Sequence, residues 1–222
     1  AKAGVASRRD CETMIEEGRV RVNNQLVSAM PAWVDPDRDR IAVDAKPIKG
    51  LSGKVKHAAR YLAVNKPRKV ISTTDDPEQR ADVLSVLPAK QRRGLFPVGR
   101  LDADSTGLML LTDDGELANR LMHPRYQVPK EYLVIVRGRL EDKDIAKLRE
   151  GLLLTDQSGR GETGAVKRAA MEQIRVVKRQ RDRTRGDRMV LSITLREGQN
   201  REIRRLLERR GVKVRRLKRV AL

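Results

Sequence analysis

The sequence predicts an α+β fold, a mainly antiparallel mixed sheet preceded by a small helix–hairpin unit. Three observations carry this expectation. Strand-period segments recur along the chain without the regular βαβ alternation of a parallel sheet. The hydrophobic fraction of 39% is enough for packed cores, and an aromatic content of 2% means that Leu, Val, Ile and Ala build them. A stretch holding Pro47, Gly50, Ser52, Gly53 and several lysines reads as a basic linker between a short and a long domain. The expected domains are therefore 1–45, a linker at 46–59, and 60–222.

The elements follow in order. Ser7 and Asp10 form a capping-box signal for a helix over 7–18, with Cys11, Met14 and Ile15 on one face and Gly18 as its stop. Arg19-Val20-Arg21-Val22 alternates with the strand period, Asn23-Asn24 turns the chain back through Gln25-Leu26-Val27, and Ile41-Ala42-Val43 adds a strand. Ala1 without Met and the apolar ending Val220-Ala221-Leu222 are expected to be trimmed ends, the first lacking a supporting helix.

In the second domain, strands are expected at 61–64, 95–101, 107–112, 130–136, 152–154, 171–177, 189–195 and 212–222. A short helix at 81–87 ends at Pro88, and Asp113-Asp114-Gly115 is a turn that also caps a helix over 116–122. An amphipathic helix at 141–150 closes on Gly151, and an arginine-rich helix over 200–210 turns Ile203, Leu206 and Leu207 inward. The charge-dense stretch 178–188 has almost nothing apolar to bury and reads as a mobile loop.

A formal net charge of +19 marks a polyanion binder, because counterion release would supply much of the affinity. Basic residues exceed acidic ones by 8 over residues 1–100 and by 14 over 167–222, whereas 101–166 carries an acidic excess of 3. This distribution places polyanion-gripping ends around a differently specialised centre. One cysteine precludes an intramolecular disulfide and fits a reducing cytoplasm, and with two histidines it cannot build a Cys/His zinc cluster. No Walker-type loop, dinucleotide fingerprint or His-rich motif appears, so neither a cofactor nor a metal is expected. No apolar run approaches a membrane span. Self-repulsion at this charge favours a monomer.

Three stretches carry a family likeness. Gly99-Arg100-Leu101-Asp102-Ala103-Asp104-Ser105-Thr106-Gly107-Leu108, continuing through Leu111-Thr112-Asp113-Asp114-Gly115 to His123-Pro124, resembles the signature of pseudouridine synthases of the RsuA/RluB branch. Lys130-Glu131-Tyr132 is similar to that family's tyrosine motif, and Glu197-Gly198-Gln199-Asn200-Arg201-Glu202-Ile203-Arg204-Arg205 to its basic C-terminal motif. Arg8-Arg9 and Gly18-Arg19-Val20-Arg21-Val22-Asn23 resemble the small RNA-binding fold shared with ribosomal protein S-four. These motifs span nearly the whole chain in the family's order.

The resemblance implies isomerisation of a uridine in ribosomal RNA to pseudouridine, with Asp102 as nucleophile. An aspartate suits the task, being ionised at neutral pH from a reference pKa of about 3.9. Arg204 matches the family's basic position, where a guanidinium would keep the carboxylate charged; Arg201 and Arg205 are the competing registers. Tyr132 is implied to stack on the target base, and Arg100 to contact the substrate as the nucleotide is extruded. Lys66-Pro67 resembles the family's first motif, a role more structural than chemical, and Lys66 is also counted among the candidate substrate or RNA contacts. Arg8, Arg9, Arg19, Arg21 and Arg201 are candidate RNA contacts. Asp104, two residues from Asp102, is expected to face away from it along a strand.

The resemblance is closest to the branch acting on the large ribosomal subunit; a small-subunit target is the alternative. A non-catalytic RNA-binding assembly factor of the same fold would share the charge distribution. Asp102 with Tyr132 and Arg204 separates the two, since a pure binder has no need of a carboxylate facing anionic RNA.

Overall fold

A computed structural model describes residues 3–35, 37–48, 58–73, 76, 78, 80–155, 166–181 and 186–222. The chain divides into two units, Ala1–Ala58 and Ala59–Leu222. In the first, helix α1 (Arg8–Glu16) begins with the expected capping box, in which Ser7 and Asp10 each accept from the other's backbone N–H. A four-stranded antiparallel sheet follows, ordered β2–β1–β3–β4, from β1 (Val20–Val22), β2 (Gln25–Leu26), β3 (Ile41–Val43) and β4 (Lys46–Pro47). Lys46 and Pro47, expected to open the linker, instead pair with Val43 and Ala42. Residues 49–57 of the expected linker lie outside the described residues.

The second unit is built on one mixed sheet. Its strands are β5 (Tyr61–Lys66), β6 (Phe96–Pro97), β7 (Thr106–Thr112), β8 (Lys130–Arg137), β11 (Gln173–Gln180), β12 (Arg188–Leu195) and β13 (Lys213–Ala221). They run β11–β12–β8–β13–β7–β5, with β6 beside β7. Helix α2 (Ala89–Arg92) precedes β6, and α3 (Gly115–Met122) follows β7. Helix α4 (Asp142–Glu150) follows β8, with β9 (Leu152–Thr155) and β10 (Val166–Ala169) forming a separate hairpin. Helix α5 (Glu202–Glu208) connects β12 to β13.

Period-two alternation decides the core. Val134 and Val136 of β8, Met109 and Leu111 of β7, and Leu191 and Ile193 of β12 are fully buried on one face of the sheet. Ile203, Leu206 and Leu207 bind α5 to that core at helical spacing. Each such side chain is worth roughly 1.5–3 kcal/mol of burial, so a helix of only two turns is held firmly.

Several elements differ from expectation. The 95–101 strand shrinks to Phe96–Pro97, because Gly99 adopts φ 79° and turns the chain away. The helix at 81–87 is a 3₁₀ turn, Val83–Val86, capped by Asp82. The stretch from Lys178 is not all loop: β11 runs on to Gln180 and β12 begins at Arg188, each charged strand end being paired within the ladder. Residues 182–185 lie outside the described residues.

All neighbours in the large sheet are antiparallel except β7 and β13, which are parallel through Thr106 opposite Lys218 and Gly107 opposite Arg219. A Cβ on Gly107 would come within 2.1 Å of the Arg219 carbonyl oxygen, and Gly107 sits at φ 109°. Gly107→Ala should therefore lower unfolding free energy by about 3 kcal/mol or more, read as a drop in the urea midpoint. Gly115→Ala, whose added methyl meets open space, should leave that midpoint unchanged or slightly raised.

Candidate active site

The segment bearing Asp102 leaves β6, passes Gly99 and forms a tight turn in which the Ser105 N–H donates to the Asp102 carbonyl at 3.0 Å. Asp104 lies in this turn and not in a strand. That overturns the expectation that it faces away: the turn brings the Asp102 and Asp104 carboxylates to the same two arginines.

The segment after β5 clamps this turn from beneath. Ser72 Oγ donates to the Leu101 carbonyl at 2.9 Å and accepts from the Leu101 N–H at 3.0 Å. The Lys69 N–H donates to the Ala103 carbonyl at 2.6 Å. Lys66 Nζ donates to the carbonyls of Ser105 at 3.0 Å, Pro67 at 3.1 Å and Val70. Lys66 is fully buried and its three ammonium protons are all used, so it is no RNA contact. Burial pushes the Lys66 ammonium below its ordinary value, against the opposing charges of Asp102 and Asp104.

From the other side α5 brings its arginines to the turn. Arg201 adopts φ 50° at the helix start, and Glu202 is buried with its carboxylate accepting from the Gln199 N–H at 2.8 Å. Burial raises the Glu202 carboxyl above its ordinary value. Arg201 and Arg204 are three residues apart and so share a helix flank. Arg201 Nη1 lies 3.5 Å from Asp102 Oδ2 and 3.4 Å from Asp104 Oδ1. Arg204 Nη2 reaches Asp104 Oδ2 at 3.1 Å and donates to Ser105 Oγ at 3.3 Å, while its Nε stands 3.8 Å from Asp102 Oδ2. That Nε is buried without a hydrogen bond among the described residues. Burial lowers the Arg204 guanidinium's pKa from its usual value, with Asp104 the strongest opposing charge. Arg205 turns away and donates to the Thr155 and Asn200 carbonyls. The single Arg204 partner expected for Asp102 is thus a pair, and Arg201, expected on RNA, joins it.

Tyr132 is buried on the inward face of β8, directly opposite Ile193 on one side and Arg219 on the other. Burial raises its phenol above the ordinary tyrosine value, Arg219 opposes this, and Asp102 is close enough to add to it. Arg219 is itself 2% exposed. Its Nε donates to the Leu108 carbonyl at 2.7 Å and Nη2 lies 3.5 Å from Met109 Sδ. Arg219 was not among the expected site residues. Its signal is the strand period: it lies two residues beyond the inward Leu217 and must share that face.

Arg100 is exposed beside the turn. In the first unit, Arg8 and Arg9 are exposed on α1, and Arg21 is exposed with Nη1 donating to the Asn24 carbonyl at 3.0 Å. Arg19, expected to contact RNA, is instead paired with carboxylates. Its guanidinium grips Asp44 through two hydrogen bonds, at 2.8 and 2.7 Å, and Glu17 at 3.1 Å, so its fork is already engaged by carboxylates.

The site therefore joins two carboxylates, two arginines bridging them, and a buried tyrosine–arginine pair, on an antiparallel framework. Residues 60–209 match the family model for RNA pseudouridylate synthase, and residues 1–29 match the S4 domain. An uncharacterized RNA pseudouridine synthase of Aquifex aeolicus is 38% identical, covering 100% of this chain and 81% of the relative. Ribosomal large subunit pseudouridine synthase B of Pseudomonas aeruginosa is 40% identical over 99% of this chain, which spans 53% of that protein's length. A crystal structure of a pseudouridylate synthase superposes with a TM-score of 0.58 at 24% identity, covering 99% of this chain and 84% of that one, and supports the fold. With the family model matching well over half of its length, the chain belongs to the RNA pseudouridylate synthase family.

Proposed function

We propose that the chain converts a uridine of large-subunit ribosomal RNA to pseudouridine, with the Asp102 carboxylate as nucleophile. The observation that carries this is the turn Asp102–Ser105, held on its backbone from below by Lys66, Lys69 and Ser72 and on its carboxylates by Arg201 and Arg204. A nucleophile gains most when its geometry is fixed before the substrate arrives. The reaction breaks the glycosidic C–N bond, turns the base and rejoins it through carbon. Until it attacks, the carboxylate must remain charged while RNA excludes water, and two guanidinium groups supply that counter-charge.

In this reading Asp104 shares the arginines and keeps Arg204 in place, its closest carboxylate contact being to Asp104 at 3.1 Å. Tyr132 supports the target base with a phenol that burial pushes further above the ordinary tyrosine value. Arg100 borders the opening and contacts the extruded nucleotide. Arg8, Arg9 and Arg21 of the first unit contact RNA phosphates. The ribosomal target is supported by the Pseudomonas relative's name and by the net charge of +19. That charge also favours a monomer. Among the described residues no helix is long and apolar enough to cross a membrane, and we place the enzyme in the cytoplasm with its RNA.

The direct test maps pseudouridines in ribosomal RNA from cells with the gene, without it, and with Asp102→Asn. At least one large-subunit site should be modified only with the native gene; identical maps in all three cells would refute the enzymatic reading. In single-turnover assays Arg204→Gln should lower the rate roughly 10²–10³-fold, the scale of losing one preorganised electrostatic group. Arg205→Gln should leave it within about threefold, since Arg205 faces away from the carboxylates. Lys66→Met removes the donor from three carbonyls and should destabilise the fold by about 1–3 kcal/mol as well as slowing turnover, seen as a lower melting temperature. An unchanged melt would show that the ammonium does not hold the turn.

A further inference from the structure

The face of the large sheet turned away from the core carries a row of cations in direct register. Lys213 of β13 opposes Arg137 of β8, and Arg137 opposes Arg188 of β12. Like charges placed directly opposite each other destabilise a sheet. A row of three across neighbouring strands is therefore a placement that folding alone disfavours. Arg137 and Arg188 join Arg215 and Arg216 around Ile135 in a half-open groove of about 670 Å³. A bulge between Val214 and Arg216 brings two consecutive arginines to the same groove, where regular alternation would send one of them to the core. None of the four guanidinium groups has an ion pair or hydrogen bond among the described residues. Arg139, Arg179 and Arg181 extend the cationic surface past Arg188, around Asp187.

This groove is separate from the candidate active site. Tyr132 and Arg137 lie on opposite faces of β8 and roughly 17 Å apart along it at 3.3–3.4 Å per residue. A nucleotide bound at Asp102 cannot also occupy the groove.

We propose that the groove binds the phosphate backbone of a second segment of the substrate RNA, remote from the target uridine. The guanidinium fork matches phosphate oxygens in bidentate fashion, and four forks around one concavity fit successive phosphates of a folded strand. Ile135 lies within the groove, where it meets a ribose and does not project as a membrane anchor would. Filling the groove with phosphates also relieves the repulsion along Lys213, Arg137 and Arg188. The proposal rests on the reading that RNA is the substrate, and it adds a second point of grip.

The test uses the intact chain, with Arg137→Gln/Arg188→Gln, Arg215→Gln/Arg216→Gln and the combined fourfold variant. Affinity is measured across a salt series for two RNAs: a long folded large-subunit fragment and a short stem-loop carrying only the mapped target uridine. The fourfold variant should bind the long fragment at least tenfold more weakly at low salt. Its log K against log [salt] slope should be shallower by about 2–4, with stem-loop affinity and turnover within twofold of native. Unchanged affinity for the long fragment would overturn the proposal, as would equal loss on both RNAs. Loss confined to binding of phosphatidylglycerol vesicles would overturn it in favour of a membrane surface. The melting temperature should hold or rise as repulsion is removed, and if the fourfold variant does not fold, Arg215→Gln/Arg216→Gln carries the same readouts. Absence of turnover by the native chain would count against the Asp102 assignment, whereas the binding measurements need no catalysis.

Discussion

The catalytic framework depends on how closely two strands approach at one point. The large sheet has two parts, β11–β12–β8–β13 and β7 with β5 and β6, and among the described residues the ladder pairing that joins them is the short parallel contact of β7 with β13. At that seam Gly107 lets the Arg219 backbone come nearer than any side chain would allow. Thr106 Oγ1 reaches the Leu217 carbonyl at 3.4 Å and Arg219 Nε reaches the Leu108 carbonyl, so side chains stitch the seam from both strands. The candidate active site straddles the same line. Asp102 and its clamp belong to the β7 side; Tyr132, Arg219 and α5 belong to the other. A small separation at the seam would part the carboxylates from their arginines.

Electrostatics explains why so basic a chain concentrates buried charge there. Lys66, Arg204 and Arg219 are each taken largely out of water, at a cost that lowers their pKa values. Each offsets this differently: Lys66 with three carbonyls, Arg204 with carboxylates, Arg219 with a carbonyl, a thioether and the Tyr132 phenol. The two carboxylates at the turn are therefore surrounded by cations that are already positioned. RNA, itself anionic, can approach Asp102 without meeting an uncompensated negative charge.

Much of this was legible in the sequence. The α+β class, the alternating strands β8 and β12, the helix α4 stopped at Gly151 and the cap at Ser7 follow from local period and capping chemistry, which operate over a few residues. Asp102, Tyr132 and Arg204 are marked by motif resemblance; Arg204 stands 3.8 Å from Asp102, and Asp102 is near enough to act on the Tyr132 phenol. What stayed hidden depends on distance along the chain or on a break in the period. Ser72 clamps Leu101 across 29 residues, and no local pattern announces that. Alternation along a strand sends Asp104 to the wrong side, because Ser105 closes a turn on Asp102 there. The motif Lys66-Pro67 marks Lys66 as important but does not tell a substrate contact from a buried clamp, since its partner Ser105 lies 39 residues on. The engagement of Arg19 with Asp44 spans 25 residues and is equally invisible locally.

The bulge at Arg215 has a consequence for insertions and deletions. Val214 and Leu217 both pair with inward residues of β8 although three positions separate them, and only an extra residue reconciles that odd spacing with a two-residue period. Deleting Arg215 would restore a regular ladder with every later residue on its present face, whereas closing the bulge with all residues kept would reverse the phase of everything beyond it. Leu217 and Arg219 would turn outward, and Arg216 and Lys218 would be driven into the apolar core. From Val214 to the second irregularity at Arg219–Ala221, both faces of β13 are thus set by that extra residue. Away from Arg215, the strand tolerates exchange of its exposed side chains far better than a one-residue change in its length.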